Sequence, residues 1–112
     1  MSNALHQIEL SIEEARKLIS LGDSLERLRS NRDFKKLIND GYFDQEAIRL
    51  VHLKSDPNMQ SADSQKAIIS QMDSIGSFKQ FLQTVAFKSN MAAKAIEADE
   101  QTREELLAEG LQ

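Results

Sequence analysis

The two histidines, His6 and His52, are the only imidazoles in this 112-residue chain, and neither has the neighbours that imidazole chemistry requires. A zinc site needs several nitrogen, sulfur or carboxylate ligands at close spacing, and the sequence offers no cysteine and no His-Glu-x-x-His pattern. A general base needs a partner that orients it, and none lies nearby in sequence. His52 is read instead as a helix-surface residue near a C-terminal end, where a protonated ring is favourable. The run Asn39-Asp40-Gly41-Tyr42-Phe43 invites comparison with a helix–loop–helix calcium site, in which glycine is the sixth of twelve loop residues. Placing Gly41 sixth puts Lys36, Ile38 and Ala47 where oxygen ligands are required, so a helix stop is the better reading. There is no glycine-rich phosphate loop and no nucleophile elbow. These residues predict no catalytic group, no metal and no cofactor, and a protein that is not an enzyme.

Charge gives two further candidates. Arg27, Arg29, Arg32, Lys35 and Lys36 form a candidate basic patch able to contact phosphates, with Gln45, Arg49 and His52 on a following helix as a possible recognition face. Glu26, Asp33 and Asp40 are interleaved with these cations, and local ion pairing on a solvated face is the default for such a pattern. The net charge of −4 also argues against a dedicated nucleic-acid binder, which leaves a helix-turn-helix-like nucleic-acid-binding protein as the alternative reading. Residues 97–112 carry Glu97, Asp99, Glu100, Glu104, Glu105 and Glu109 against Arg103 alone, so the C-terminal tail is acidic and suits a basic partner or solubility.

The elements that position these residues are helical. Leu, Ile, Ala, Lys, Glu and Gln dominate over Val, Thr and Tyr, and a chain of this size with one proline is read as one modest domain. Ile8, Leu10 and Ile12 alternate with polar residues, which predicts an extended N-terminal arm over 1–11. Ser11 and Glu14 have capping-box spacing, and Ala15, Leu18, Leu21, Leu25 and Leu28 then mark one helical stripe, uninterrupted at Gly22 if that site packs closely on another helix. The phase shifts after Leu28, with Ser30 or Asn31 able to cap the next helix. The fold corner is placed at Phe34, Gly41, Tyr42, Phe43 and Asp44: a helix stops at Gly41, aromatic rings plug the turn, and Asp44 caps a helix that ends before Pro57. A long helical pattern begins near Ser61 or Ala62 and runs to Ile96, with Gly76-Ser77 as a possible break. Thr102 and Glu105 predict a short last helix closing at Gly110. The resulting fold is all-α, a small helical bundle of two or three shorter helices packed on a long C-terminal helix, with a helical domain over 12–98 and an acidic tail over 99–112.

Within the long pattern, Ile68, Met72, Ile75, Phe78, Phe81, Leu82 and Val85 span more than one narrow seam, and short helices can leave part of that breadth uncovered. This is the candidate interaction face. No stretch reaches the length of a membrane span and the N-terminus lacks signal-peptide features, so no membrane partner is expected.

The segments Leu25 to Phe43, Glu46 to Leu50, Lys54 to Gln60 and Ala98 to Gly110, including the Gly-Tyr-Phe and Asp-Pro motifs, resemble small proteins encoded in tailed-bacteriophage genomes. The likeness covers nearly the whole chain. It implies a role in virion structure or assembly, location in the virion or in the host cytoplasm during assembly, and partners that are further copies or other phage structural proteins. It implies no catalytic or binding residues.

Overall fold

The computed structural model describes residues 2–110, and among them only Asn31, Asp56, Gln60 and Ser61 lie outside the helices. No strand occurs among the described residues. The helices are α1 (Ser2–Ser30), α2 (Arg32–Phe34), a π-helical segment (Lys35–Glu46), α3 (Ala47–Ser55), a 3₁₀ turn (Pro57–Met59) and α4 (Ala62–Gly110). Contacts divide the chain into two compact units. One comprises α1 up to Glu26 with α4 from Thr84 onward; the other runs from Arg27 to Gln83.

In the first unit the expected extended arm is replaced by helix from Ser2 onward, Met1 lying outside the described residues. Leu5, Ile8, Ile12 and Ala15 recur at steps of three and four, and this period prevails over the short alternation at Ile8, Leu10 and Ile12 because it places the larger set on one face. Ser11 is consequently inside α1 and caps nothing: its Oγ donates to Asp99 Oδ2 at 2.8 Å. Gly22 lies against Ser89. Ser11 and Arg16 meet Asp99 and Glu100 whereas Gly22, further along α1, meets Ser89, so the two helices run antiparallel. Ile12, Ala15, Leu25 and Ala92 are buried. On α4, Val85, Ser89, Ala92, Ile96, Asp99, Arg103 and Leu106 continue the three-four alternation and are all buried or half-buried, the signature of a heptad seam. Small residues at Ala15, Gly22, Ser89 and Ala92 permit close backbone approach. The roughly 1 kcal/mol helix penalty of Gly22 is thus compensated by packing, as its uninterrupted stripe requires.

The predicted short last helix is not separate. α4 passes through Gly76, Ser77 and Thr102 without interruption, and Thr102 Oγ1 donates back to the Ala98 carbonyl at 3.0 Å instead of capping a new start.

In the second unit Asn31 does break the chain. Its extended backbone and its Oδ1, accepting from the N–H groups of Asp33 and Phe34 at 2.9 and 3.0 Å, start α2. The fold corner at Gly41 is corrected. Gly41 has no positive φ, Asp44 makes no side-chain cap, and the backbone stays helical from Arg32 to Ser55. The physical reason lies in spacing: Phe34, Ile38, Tyr42 with Phe43, and Ala47 recur every four to five residues, and the wider π winding keeps these half-buried side chains on one side.

The link to α4 is tightly bonded. Asp56 Oδ1 accepts from Asn58 N–H at 2.8 Å and Pro57 opens the 3₁₀ turn. The Gln60 amide donates to the carbonyls of Lys54 and Asp56, and the Gln65 amide donates to those of Lys54 and Met59, at 2.8–3.0 Å. Two glutamines thereby donate to the Lys54 carbonyl at the end of α3 and to two carbonyls of the link that follows. Ser61 Oγ accepts from Ser64 N–H at 3.1 Å, which starts α4 where the sequence places it. The core is Leu50, Ile68 and Ile75, the first two 0% and 1% exposed, surrounded by Tyr42, Phe43, Ala47, Leu53, Met59 and Met72.

Candidate interaction surface

The predicted interaction face divides between core and surface. Ile68, Ile75 and Leu82 are buried, Met72 and Val85 are half-buried, and Phe78 and Phe81 remain exposed. The correction has a simple geometric cause. Consecutive α-helical residues point about 100° apart at 3.6 residues per turn, so one member of an apolar doublet can face the core while the other faces outward. Ile68 is buried and Ile69 exposed; Leu82 is buried and Phe81 exposed; Leu50 is buried and Val51 exposed; Ile38 is half-buried and Leu37 exposed. The outward members, with Ile48 beside half-buried Ala47, form the apolar surface of this unit. Ile48 and Val51 share a helix face at i,i+3. Leu37 lies on the π-helical segment and Ile48 and Val51 on α3, so a face read along the long stripe leaves them out, although the doublets themselves were the available signal.

Phe34, Gly41, Tyr42 and Phe43 are half-buried and Asp44 is exposed. The rings of Tyr42, Phe43 and Phe78 cluster in tilted pairs with centroids 5.6–6.2 Å apart. Lys79 Nζ lies 5.8 Å from the Phe43 centroid, within cation–π range. Two open depressions flank this cluster. One, of about 290 Å³, is lined by Arg29, Asn39, Phe43, Asp44, Lys79, Leu82 and Gln83. The other, of about 420 Å³, is lined by Leu37, Ile38, Gly41, Tyr42 and Glu46. Leu37 on its wall is 70% exposed.

Of the candidate basic patch, Arg27, Arg32, Lys35 and Lys36 are exposed and Arg29 is half-buried. The helix-turn-helix alternative places a turn at Gly41, and no turn interrupts the chain there. Arg49, placed on its recognition face, is held by Glu46: Arg49 Nε donates to both carboxylate oxygens at 3.1 Å, and a guanidinium NH₂ group adds a third bond. This hydrogen-bonded pairing lowers the Glu46 carboxyl below its ordinary range and raises the Arg49 guanidinium. His6 and His52 are both exposed. Among the described residues no three His, Cys, Asp or Glu side chains are grouped to hold a metal ion, and no helix is long and apolar enough to cross a membrane.

The first unit also presents apolar side chains. Phe87 and Met91 are exposed at i,i+4 on α4, Leu10 and Leu21 are exposed on α1, and Leu107 is exposed near the end of α4. Glu97, Glu104, Glu105 and Glu109 are exposed along the same end, whereas Asp99 is bonded to Ser11 and Glu100 lies 3.6 Å from Arg16. Comparison of the chain with protein-family models, curated proteins and solved structures gives no match.

Proposed function

We propose that this chain is a small non-enzymatic structural or assembly protein of a tailed bacteriophage, acting through protein–protein association and chiefly through association with its own copies. One observation carries the association reading: among the described residues twelve large apolar side chains are exposed, against eight hydrophobic residues that are buried. Single exposed apolar residues are ordinary on any surface. Here they come as pairs on shared helix faces, Ile48 with Val51 and Phe87 with Met91, in a chain whose core is small, and such faces are stabilised by burial against a partner. Helices from neighbouring chains complete the bundle packing that each chain begins. The phage assignment rests on the sequence resemblance, with the virion or the host cytoplasm during assembly as the location.

Replacing Phe87 and Met91 with serine, and separately Ile48 and Val51, tests the reading by sedimentation velocity. At least one pair should weaken association more than tenfold while leaving helical circular dichroism unchanged, on the scale of about 1.5–3 kcal/mol for each large side chain withdrawn from water. Association unaffected by both pairs would remove these faces from the account. Mass spectrometry of purified particles from a phage encoding the chain tests the assignment: a structural component is present at a fixed copy number, and absence from both particles and assembly intermediates refutes it.

A further inference from the structure

We propose that copies also meet through a head-to-tail contact, with the acidic end of α4 from one copy seated on the Leu37 depression and the basic residues near it in sequence in the next. The inference rests on the association reading above and adds, beside the Ile48–Val51 and Phe87–Met91 faces, the contact that sets the direction of assembly. The depression offers an apolar wall from Leu37, Ile38 and Tyr42, its one charged lining residue, Glu46, is paired with Arg49, and Gly41 adds no side chain to obstruct an approaching helix. Arg32, Lys35 and Lys36, all exposed, lie within six residues of Leu37 on the same run of chain. The end of α4 carries the complementary set. Leu107 is exposed and stands three residues from Glu104 on one helix face, flanked by exposed Glu105 and Glu109.

Charge decides the orientation. The unit of α1 up to Glu26 with α4 from Thr84 onward carries five basic and eleven acidic residues, a balance of −6, whereas residues 27–83 carry nine basic and seven acidic, a balance of +2. Two acidic units facing each other repel, and like charges across an interface count against that pairing. Acidic against basic is the pairing of attraction. Because it joins two different surfaces, such a contact is heterologous, and it propagates into a ring if its rotation closes or a filament if it does not.

The test is a charge swap. Variant one carries Arg32→Glu, Lys35→Glu and Lys36→Glu; variant two carries Glu104→Lys, Glu105→Lys and Glu109→Lys. Both sets favour the helix dipole, with acids near the start of α2 and cations near the end of α4, so both variants should stay folded, which circular dichroism checks. Association is measured by light scattering on the wild type, on each variant alone, and on their equimolar mixture, at low and high salt. Each variant alone should associate at least about tenfold more weakly than the wild type, and the mixture should recover wild-type association, because acid again meets base at every junction. Leu37→Ser should weaken the contact without altering its salt dependence. Wild-type association that neither charge variant perturbs, or variants whose mixture fails to recover, would overturn the head-to-tail contact and leave the association reading in place. A wild type that never associates would overturn both.

Discussion

The close approach at Gly22 supports a prediction whose sign can be reversed by a second substitution. An added Cβ at Gly22 overlaps the Oγ and Cβ of Ser89, whereas the Ser89 Cα lies 3.9 Å away, at ordinary van der Waals distance. Rotating the serine hydroxyl relieves the first overlap but not the second, because the Cβ moves only with its backbone. Gly22→Ala therefore gains about 1 kcal/mol of helix propensity and incurs about 1–3 kcal/mol of overpacking, for a net loss between about zero and 2 kcal/mol. In a Ser89→Gly background the obstructing atoms are gone. The same Gly22→Ala change should then stabilise by close to its full propensity gain, and the coupling between the two sites should be about 1–3 kcal/mol. Urea unfolding followed by circular dichroism at one fixed protein concentration, on the wild type, both single variants and the double variant, measures this coupling. Equal stabilisation by Gly22→Ala in both backgrounds would show that the helices do not meet at these residues, and the antiparallel pairing would fall with it.

Other expectations follow from the second unit. Leu50→Ala, at a fully buried position, should cost about 2–5 kcal/mol in chemical unfolding, whereas Leu37→Ala at the exposed half of its doublet should stay within about 0.5 kcal/mol when both are measured at a concentration low enough for the chains to be dissociated. Gln65→Ala removes donors from the Lys54 and Met59 carbonyls and should cost about 1–2 kcal/mol, with amide exchange accelerating around residues 54–61; unchanged exchange there would show that the clamp contributes nothing. The depressed Glu46 carboxyl makes a pH-dependent contribution. Its folded value lies below the unfolded one, so the Arg49 pairing stabilises fully above the ordinary carboxylate range and is lost as pH falls through the lowered value. Glu46→Gln should therefore lower Tm slightly near neutrality and not in strong acid; a Tm difference constant across that range would argue against the pairing.

Much of the architecture was legible. Helical composition, the cap at Asn31, the stop before Pro57 and the start of α4 at Ala62 follow from local chemistry that acts within a few residues. The corner at Gly41 was misread because a glycine after an apolar run looks the same whether the chain turns left-handed there or stays helical. What separates the cases is the four-to-five-residue recurrence of Phe34, Ile38, Tyr42 with Phe43, and Ala47, which suits a π-helix and has no use in a turn. The α1–α4 seam was obscured by polar members: Ser89, Asp99 and Arg103 occupy heptad positions, and apolar periodicity alone skips over them. The interaction face was read too broadly for the opposite reason. The adjacent residues Phe81 and Leu82 were counted on one surface, although an α-helix points them about 100° apart and the core takes only Leu82. The exposed status of Leu37 and Val51 depends on which doublet member the core takes, and that is settled by contacts between elements rather than by either residue's type.

Association is the claim on which the functional account depends, and the most direct measurement is the mass of the wild-type protein in solution by light scattering across a concentration series. The account predicts a mass that exceeds the 12.7 kDa chain and rises with concentration as Leu37, Ile48, Val51, Phe87 and Met91 are drawn into contacts between copies. A mass that stays at one chain throughout the series would contradict it.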